Sequence, residues 1–463
     1  MVPIGVGVDL PDLGDESAAV ISSSQERKLG EGVMRQARHS LKYLDDPELL
    51  DYIQRLGDKL VAQADYPHKF QFYVIDDANI NAFAVPGGFI STNTGLILAA
   101  ESEAELASVL AHEAAHITQR HIPRMIAAQK RTSGLSMAAL LAAILLIGSG
   151  QGEAGQAAIA LSGATVAQRQ INFTRAHEQE ADRVGTQILV QGGFDARAMP
   201  AFFQRLQNWS RLYETNLPEY LSTHPITSNR IAESLNRAER YPPIKTSDSP
   251  DFHHVRAKIR AMTASSPARA VEAFKTSIAR GKSANADAEH YGYAFALVSN
   301  KQYDQARKEI SALLKRHPDN IYYRLLQAEI EMAAGHYTQA LKINAATHAK
   351  APGNRAVMRH YAGALLQTGK AKTARKLLDE AVRRYPDDPS FYKMLATAAG
   401  ETGDRFAAHY ALAEHYYLTG NLGNAVKQLE IAARFTGDSD YYRARVQARI
   451  KEIKSEIDQQ RHE

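Results

Sequence analysis

Apolar positions in the first third of the chain recur at helical spacing and then change to strand spacing. Between about Arg27 and Ala64, the residues Leu41, Leu44, Leu49, Ile53, Leu56, Leu60 and Val61 keep a helical period. Asp46-Pro47 interrupts that stretch, and proline favours the first turn of a helix. The spacing therefore predicts two helices, with Pro47 opening the second. Phe70 to Ile75 predicts a strand, and Asn81 to Ile90 a second strand or hairpin. Pro86 and the Gly87-Gly88 pair assign that second element to a sheet edge. Glu103 to Gln119 predicts a helix with Leu106, Val109, Leu110 and Ile117 on one side. Further helices are expected over Arg175–Gln191, Ala196–Tyr213 and Ile226–Arg240. The strongest apolar run, Leu135–Ile147, is followed by a Gly-rich break and a small-residue stretch, Gln156–Gln168. Thirteen helical residues reach about 20 Å, short of the ~30 Å hydrocarbon core, so this pair is expected as an apolar hairpin that does not span. It is either a buried core hairpin or a lid or membrane-surface contact.

The second half carries a repeat. Ala294, Ala328, Ala362 and Ala396 are spaced 34 apart, as are Ala306, Ala340, Ala374 and Ala408. Pro318, Pro352 and Pro386 share the period, and so do Gly335, Gly369 and Gly403. A 34-residue period marks tetratricopeptide helix pairs, in which small residues sit where the paired helices approach. Units begin near Asp287, Ile321, Arg355 and Pro389, and Gly420 replaces the proline of the fourth. Asn421 to Gln459 is expected to cap the last apolar face. Tyr241–Pro250, rich in proline and serine, marks the boundary between the halves. The expected layout is an N-terminal extension over 1–24, a first domain over 25–245, a linker with leading helices over 246–286 and repeats with caps over 287–463. The expected class is mainly α: an α+β domain with a small sheet, followed by an all-α solenoid.

Composition narrows the chemistry. A length of 463 residues suits two to four domains. A net charge of +4 leaves no electrostatic footprint for nucleic acid. The absence of cysteine excludes disulfides, thiolate metal sites, iron–sulfur clusters and a cysteine nucleophile. Any metal must be held by His, Asp and Glu. Met1–Ser24 has no basic segment followed by an apolar run and is not a signal peptide as written.

His112-Glu113-Ala-Ala-His116 lies inside a predicted helix. Residues four apart share a helical face, so both imidazoles can hold one Zn²⁺ while Glu113 takes a proton from a water. Gln119 and Ile122 exclude the extended metzincin pattern, and His121 is off register for the shared face of one continuous helix. A third ligand is sought in His177-Glu178-Gln-Glu180-Ala-Asp182, where Glu178 and Asp182 share a face. His177 and Glu180 are rival ligands. His224-Pro225 opens a helix that carries Arg230, and either residue near a metal suits an oxyanion.

This set, with Asn81-Ala-Phe-Ala-Val-Pro-Gly-Gly upstream, resembles the zinc peptidases related to the CAAX prenyl protease. With the repeats, Asp9–Gly14, Thr118–His121 and Gly193–Pro200, it is similar to their periplasmic beta-barrel assembly-enhancing branch in Gram-negative bacteria. The resemblance implies zinc held by His112, His116 and Glu178, with Glu113 as base. Asp182 would support a ligating histidine or donate a proton. His224 would be a switch able to take the fourth zinc position. The implied activity is that of a zinc endopeptidase with chaperone-like function. Its substrates would be unfolded or misassembled outer-membrane proteins, added as a strand along the edge at Phe83–Thr92. The repeats would dock on the barrel assembly machinery, and 135–168 would form a lid or touch a membrane surface. The alternative is a tetratricopeptide chaperone or adaptor with latent proteolysis.

Overall fold

The computed structural model describes residues 21–130, 175–212, 218–245 and 247–462. The apolar stretches Leu135–Ile147 and Gln156–Gln168 lie outside them. Among the described residues no helix is long and apolar enough to cross a membrane.

The first two helices among the described residues are Ser23–Ser40 and Pro47–Val61, divided where the sequence predicts. Asp46 caps the second by accepting a hydrogen bond from the Leu49 amide, and Pro47 fills the first turn, where no amide hydrogen is needed. The sheet has three strands, β1 (Gln71–Ile75), β2 (Ala82–Val85) and β3 (Phe89–Asn93), in the order β1-β3-β2. β3 runs parallel to β1 and antiparallel to β2. This corrects the expected edge over Phe83–Thr92: of its two strands β2 lies at an edge and β3 is central. Pro86, Gly87 and Gly88 occupy the turn between the two strands, with Gly87 at φ 88° and Gly88 at φ 95°. Their left-handed backbone closes the hairpin, and the Gly88 carbonyl accepts the Gln71 amide at the start of β1.

The Glu103–Thr118 helix is the centre of this half. Its side chains from Leu106 to Ile117 are all buried. Ser102 caps it, accepting from the Glu105 amide, which suits a helix that must start cleanly in the interior. Helices Arg175–Gln191, Ala198–Leu212 and Ser228–Ala238 follow, close to the expected bounds.

The repeats begin at Ala286, Ile321, Arg355 and Pro389, each a pair of antiparallel helices. Ala294, Ala306, Ala328, Ala340, Ala362 and Ala374 are at most 1% exposed, which explains why the period selects small residues. Helices Pro250–Met262 and Pro267–Arg280 precede the array, and Leu422–Ala432 and Asp440–His462 close it.

The halves are not separate beads. One apolar cluster runs from Leu49, Ile53 and Leu56 through Phe252 and Val255 to Tyr291, Tyr322 and Tyr323. The acidic start of the Pro47–Val61 helix is gripped from the repeat side. Lys258 Nζ lies 2.7 Å from Asp46 and also meets Glu48, while both Arg359 Nη atoms donate to Asp45 at 2.6 Å. Arg35 on the first helix pairs with Glu456 at 2.9 Å near the far end of the array. The array therefore curls around the first domain.

Candidate metal centre

Four side chains from three segments converge. His112 and His116 come from the central helix, Glu178 from Arg175–Gln191, and His224 from the end of the short helix Glu219–Thr223. All four are at most 2% exposed, and each offers a ligand atom within 4.8 Å of the others. His112 Nε2 is 3.0 Å from His116 Nε2. Glu178 lies 3.6 Å from the first through Oε2 and 3.5 Å from the second through Oε1. A tetrahedral zinc with bonds of ~2.0–2.1 Å sets its ligand atoms about 3.3 Å apart; the two Nε2 atoms are near that spacing, and Glu178 approaches each of them through a different carboxylate oxygen.

The outer hydrogen bonds fix which nitrogens face inward. Asp182 Oδ1 lies 3.1 Å from His112 Nδ1. Arg230 Nε and Nη2 donate to Asp182 at 2.8 Å each, a fork that holds the carboxylate in plane. Arg230 Nη1 donates to the Pro225 carbonyl at 2.8 Å and lies 2.7 Å from Glu178. His116 Nδ1 is 2.7 Å from His121 Nδ1, and His121 Nε2 is 3.1 Å from Glu180. Since a carboxylate only accepts, the protons are assigned to His112 Nδ1, His121 Nε2 and His116 Nδ1. The two Nε2 atoms then face each other at 3.0 Å with Glu178 beside them, so one cation, a proton or a metal ion, can bridge them, and this makes the donor set fit a metal.

The electrostatics agree. Burial alone would lower the His112 pKa, but Asp182 and Glu178 overcome it and raise it to about 9. His116 is held well below the usual histidine range by burial and by His112. Glu178 remains well below the usual carboxylate range because His224 and His112 outweigh the opposing effect of burial. The pocket therefore attracts a cation. Glu113 is 1% exposed, and burial pushes its carboxyl up against the pull of His224 and His112. A carboxylate with raised affinity for a proton is what a general base requires. The backbone amide of Ala84, on the edge strand β2, donates toward it.

His112, Glu113, His116, Glu178, Asp182, His224 and Arg230 thus come together. The rivals His177 and Glu180 do not join the donor set. Glu180 binds His121 and Arg124, and His177 stacks on His121 with ring centres 4.5 Å apart. Every side-chain nitrogen of Arg230 is engaged with Asp182, Glu178 or Pro225. Two nearby residues lie outside the motifs that the spacing singles out. His121 meets His116 because Arg120, at φ 50°, breaks the helix and turns the chain back. Tyr220 lies beside His224, with ring centres 4.8 Å apart.

Two histidines and a carboxylate that could hold a metal, with Glu113 beside them, make the pattern of a metallopeptidase. Peptidase family M48 matches residues 47–238, and the tetratricopeptide repeat family matches 261–330 and 331–398. A Vibrio cholerae relative, which carries the name beta-barrel assembly-enhancing protease provisionally, is 37% identical over 96% of this chain and 92% of its own length. The beta-barrel assembly-enhancing protease of Escherichia coli is 34% identical over 96% of this chain and 91% of its own. The mitochondrial metalloendopeptidase OMA1 of Bos taurus is 32% identical over 36% of this chain and 31% of its own. The chain is a metalloendopeptidase with tetratricopeptide repeats. It belongs to the family of beta-barrel assembly-enhancing proteases.

Proposed function

We propose that the protein is a periplasmic zinc endopeptidase that acts on unfolded or misassembled outer-membrane barrel proteins. The observation that carries this reading is the buried convergence of His112, His116 and Glu178 with Glu113 beside them. These three residues would hold the zinc, and two imidazoles would favour it over a hard cation such as Mg²⁺. When bound, zinc polarises the scissile carbonyl and lowers the pKa of a water toward ~7. Glu113 takes the proton from that water and passes it to the leaving amine. Asp182 orients His112, and Arg230 holds Asp182. The substrate adds as a strand along β2, whose edge position and Ala84 amide bring its backbone to Glu113. The repeats dock on the barrel assembly machinery.

His224 completes the donor set at rest and keeps the enzyme gated. Its Nδ1 is 2.9 Å from Glu178 and its Nε2 3.5 Å from Glu113, so it stands between base and ligand. The same observation favours the second reading, a chaperone or adaptor with latent proteolysis. The test is cleavage of an unfolded barrel protein and of casein by wild type, Glu113→Gln and His224→Ala, with metal content measured for each. A silent wild type with an active His224→Ala supports the gate. Equal cleavage by Glu113→Gln sinks the peptidase assignment, and a native metal content near zero removes the zinc.

A further inference from the structure

The site contains a polar group that the reading above does not use. Tyr220 is 0% exposed, and its hydroxyl has no hydrogen-bond partner among the described residues. A buried hydroxyl left without a partner costs free energy, and such groups in native structures call for an explanation. The surroundings of this one are catalytic. The ring lies 4.8 Å from that of His224 and 6.5 Å from that of His112, and the carboxylates of Glu113 and Glu178 act on its oxygen.

The backbone fixes the ring in place. Tyr220 N donates to the carbonyl of Ile80, just ahead of the edge strand β2, at 3.1 Å. His224 N donates to the Tyr220 carbonyl at 2.8 Å. Tyr220 therefore links the strand proposed to align substrate with the histidine proposed to gate it. A carbonyl brought to Glu113 along β2 would arrive beside the residues that this ring packs against, His224 and His112.

A developing oxyanion needs a donor, and Arg230 is committed to Asp182, Glu178 and Pro225. A phenol, with an ordinary pKa near 10, carries a proton at neutral pH and is an available donor. We propose that Tyr220 is a further catalytic residue, donating a hydrogen bond to the scissile carbonyl oxygen as charge develops on it. No bond to the phenol oxygen forms or breaks, and its proton stays in place. The inference rests on the peptidase reading.

Tyr220→Phe tests it, because the ring and its packing are retained. Cleavage of fluorogenic casein is measured for wild type, His224→Ala, Glu113→Gln and Tyr220→Phe. Tyr220→Phe is also made in the His224→Ala background. In whichever background cleaves, kcat is expected to fall by about 10²-fold, the scale of losing one oxyanion donor, with KM and zinc per chain unchanged. As a second readout, a peptide phosphonamidate that mimics the tetrahedral oxyanion is titrated by calorimetry. Tyr220→Phe should weaken it by a similar factor while leaving binding of an uncleavable strand-forming peptide intact. Unchanged kcat, or parallel loss of kcat, zinc and both ligands, overturns the catalytic role. If His224→Ala and wild type are both silent while Glu113→Gln is no different, the peptidase reading fails first and takes this inference with it.

Discussion

Gly185 lies against the backbone of His112. A Cβ placed on this glycine would come 3.0 Å from His112 Cα and 3.2 Å from the Ala111 carbonyl oxygen. The helix that carries Glu178 and Asp182 thus meets the metal-ligand helix at van der Waals limit, and the missing side chain sets the depth of the centre. Gly185→Ala is expected to destabilise the fold by about 1–3 kcal/mol, as overpacking does, and to loosen metal binding by displacing Glu178. Thermal unfolding and competition with a chromophoric chelator read the two effects separately. An alanine variant with wild-type melting and wild-type affinity would contradict this.

Asp182→Asn should keep the fold and lower metal affinity by about 10–100-fold, the usual effect of removing the partner of a ligating histidine. The asparagine can present its NH₂ to His112 Nδ1 and favour the wrong tautomer. His121→Ala should act in the same direction through His116. Competition titration against a chelator of known affinity checks both, and affinity unchanged in both would show that these contacts do not orient the ligands.

Much of this centre was legible in the sequence, because its core is local. His112, Glu113 and His116 need only a helix, and Glu178 with Asp182 needs only a second one. The 34-residue period likewise marks pairs that pack on their neighbours, so Ala328 or Ala362 declares its burial from spacing alone. The rest depends on where the chain turns. His121 is off register for a continuous helix, but the left-handed Arg120 ends that helix and returns His121 to His116. The glycines after Pro86 suggested an edge, yet they lie in the turn and leave Phe89–Asn93 central. The Lys258 cluster arises from contacts between distant segments, which no local period encodes, whereas Tyr220 sits one helical turn before His224.

Lys258 is buried among Asp46 and Glu48, the two acids at the start of the Pro47–Val61 helix. Lys258→Met leaves both acids without their cation and should cost about 3–5 kcal/mol, the range for breaking a buried ion pair from one side. Adding Asp46→Asn and Glu48→Gln should recover most of that loss. Denaturant unfolding of the four variants in a cycle provides the measurement. A single variant as stable as wild type would show that the cluster does not hold the halves together.

His360, on a repeat helix, lies 3.3 Å from Glu48. Burial would lower its pKa, but Glu48 and Glu329 together overcome that effect and the repulsion of Lys258, and raise it. A histidine raised in the folded state stabilises fully below its unfolded value of ~6.5, and the contribution fades as pH rises through the folded value. Melting temperature should therefore fall as pH rises above about 6.5 in the wild type, and less steeply in His360→Gln. Parallel curves for the two proteins would remove His360 as the cause.

The grip of the repeats on Asp45, Asp46 and Glu48 has a thermodynamic consequence. These acids start the same helix whose Ile53 and Leu56 lie in the apolar cluster beneath Phe72, Leu110 and Ala111. A client that competes with Asp45 for Arg359 on the array would thereby strain the support of the catalytic helix. Reciprocity then requires that any event favouring the open metal centre tighten the client's hold by the same factor. Recruitment and permission to cut would be two measurements of a single coupling free energy.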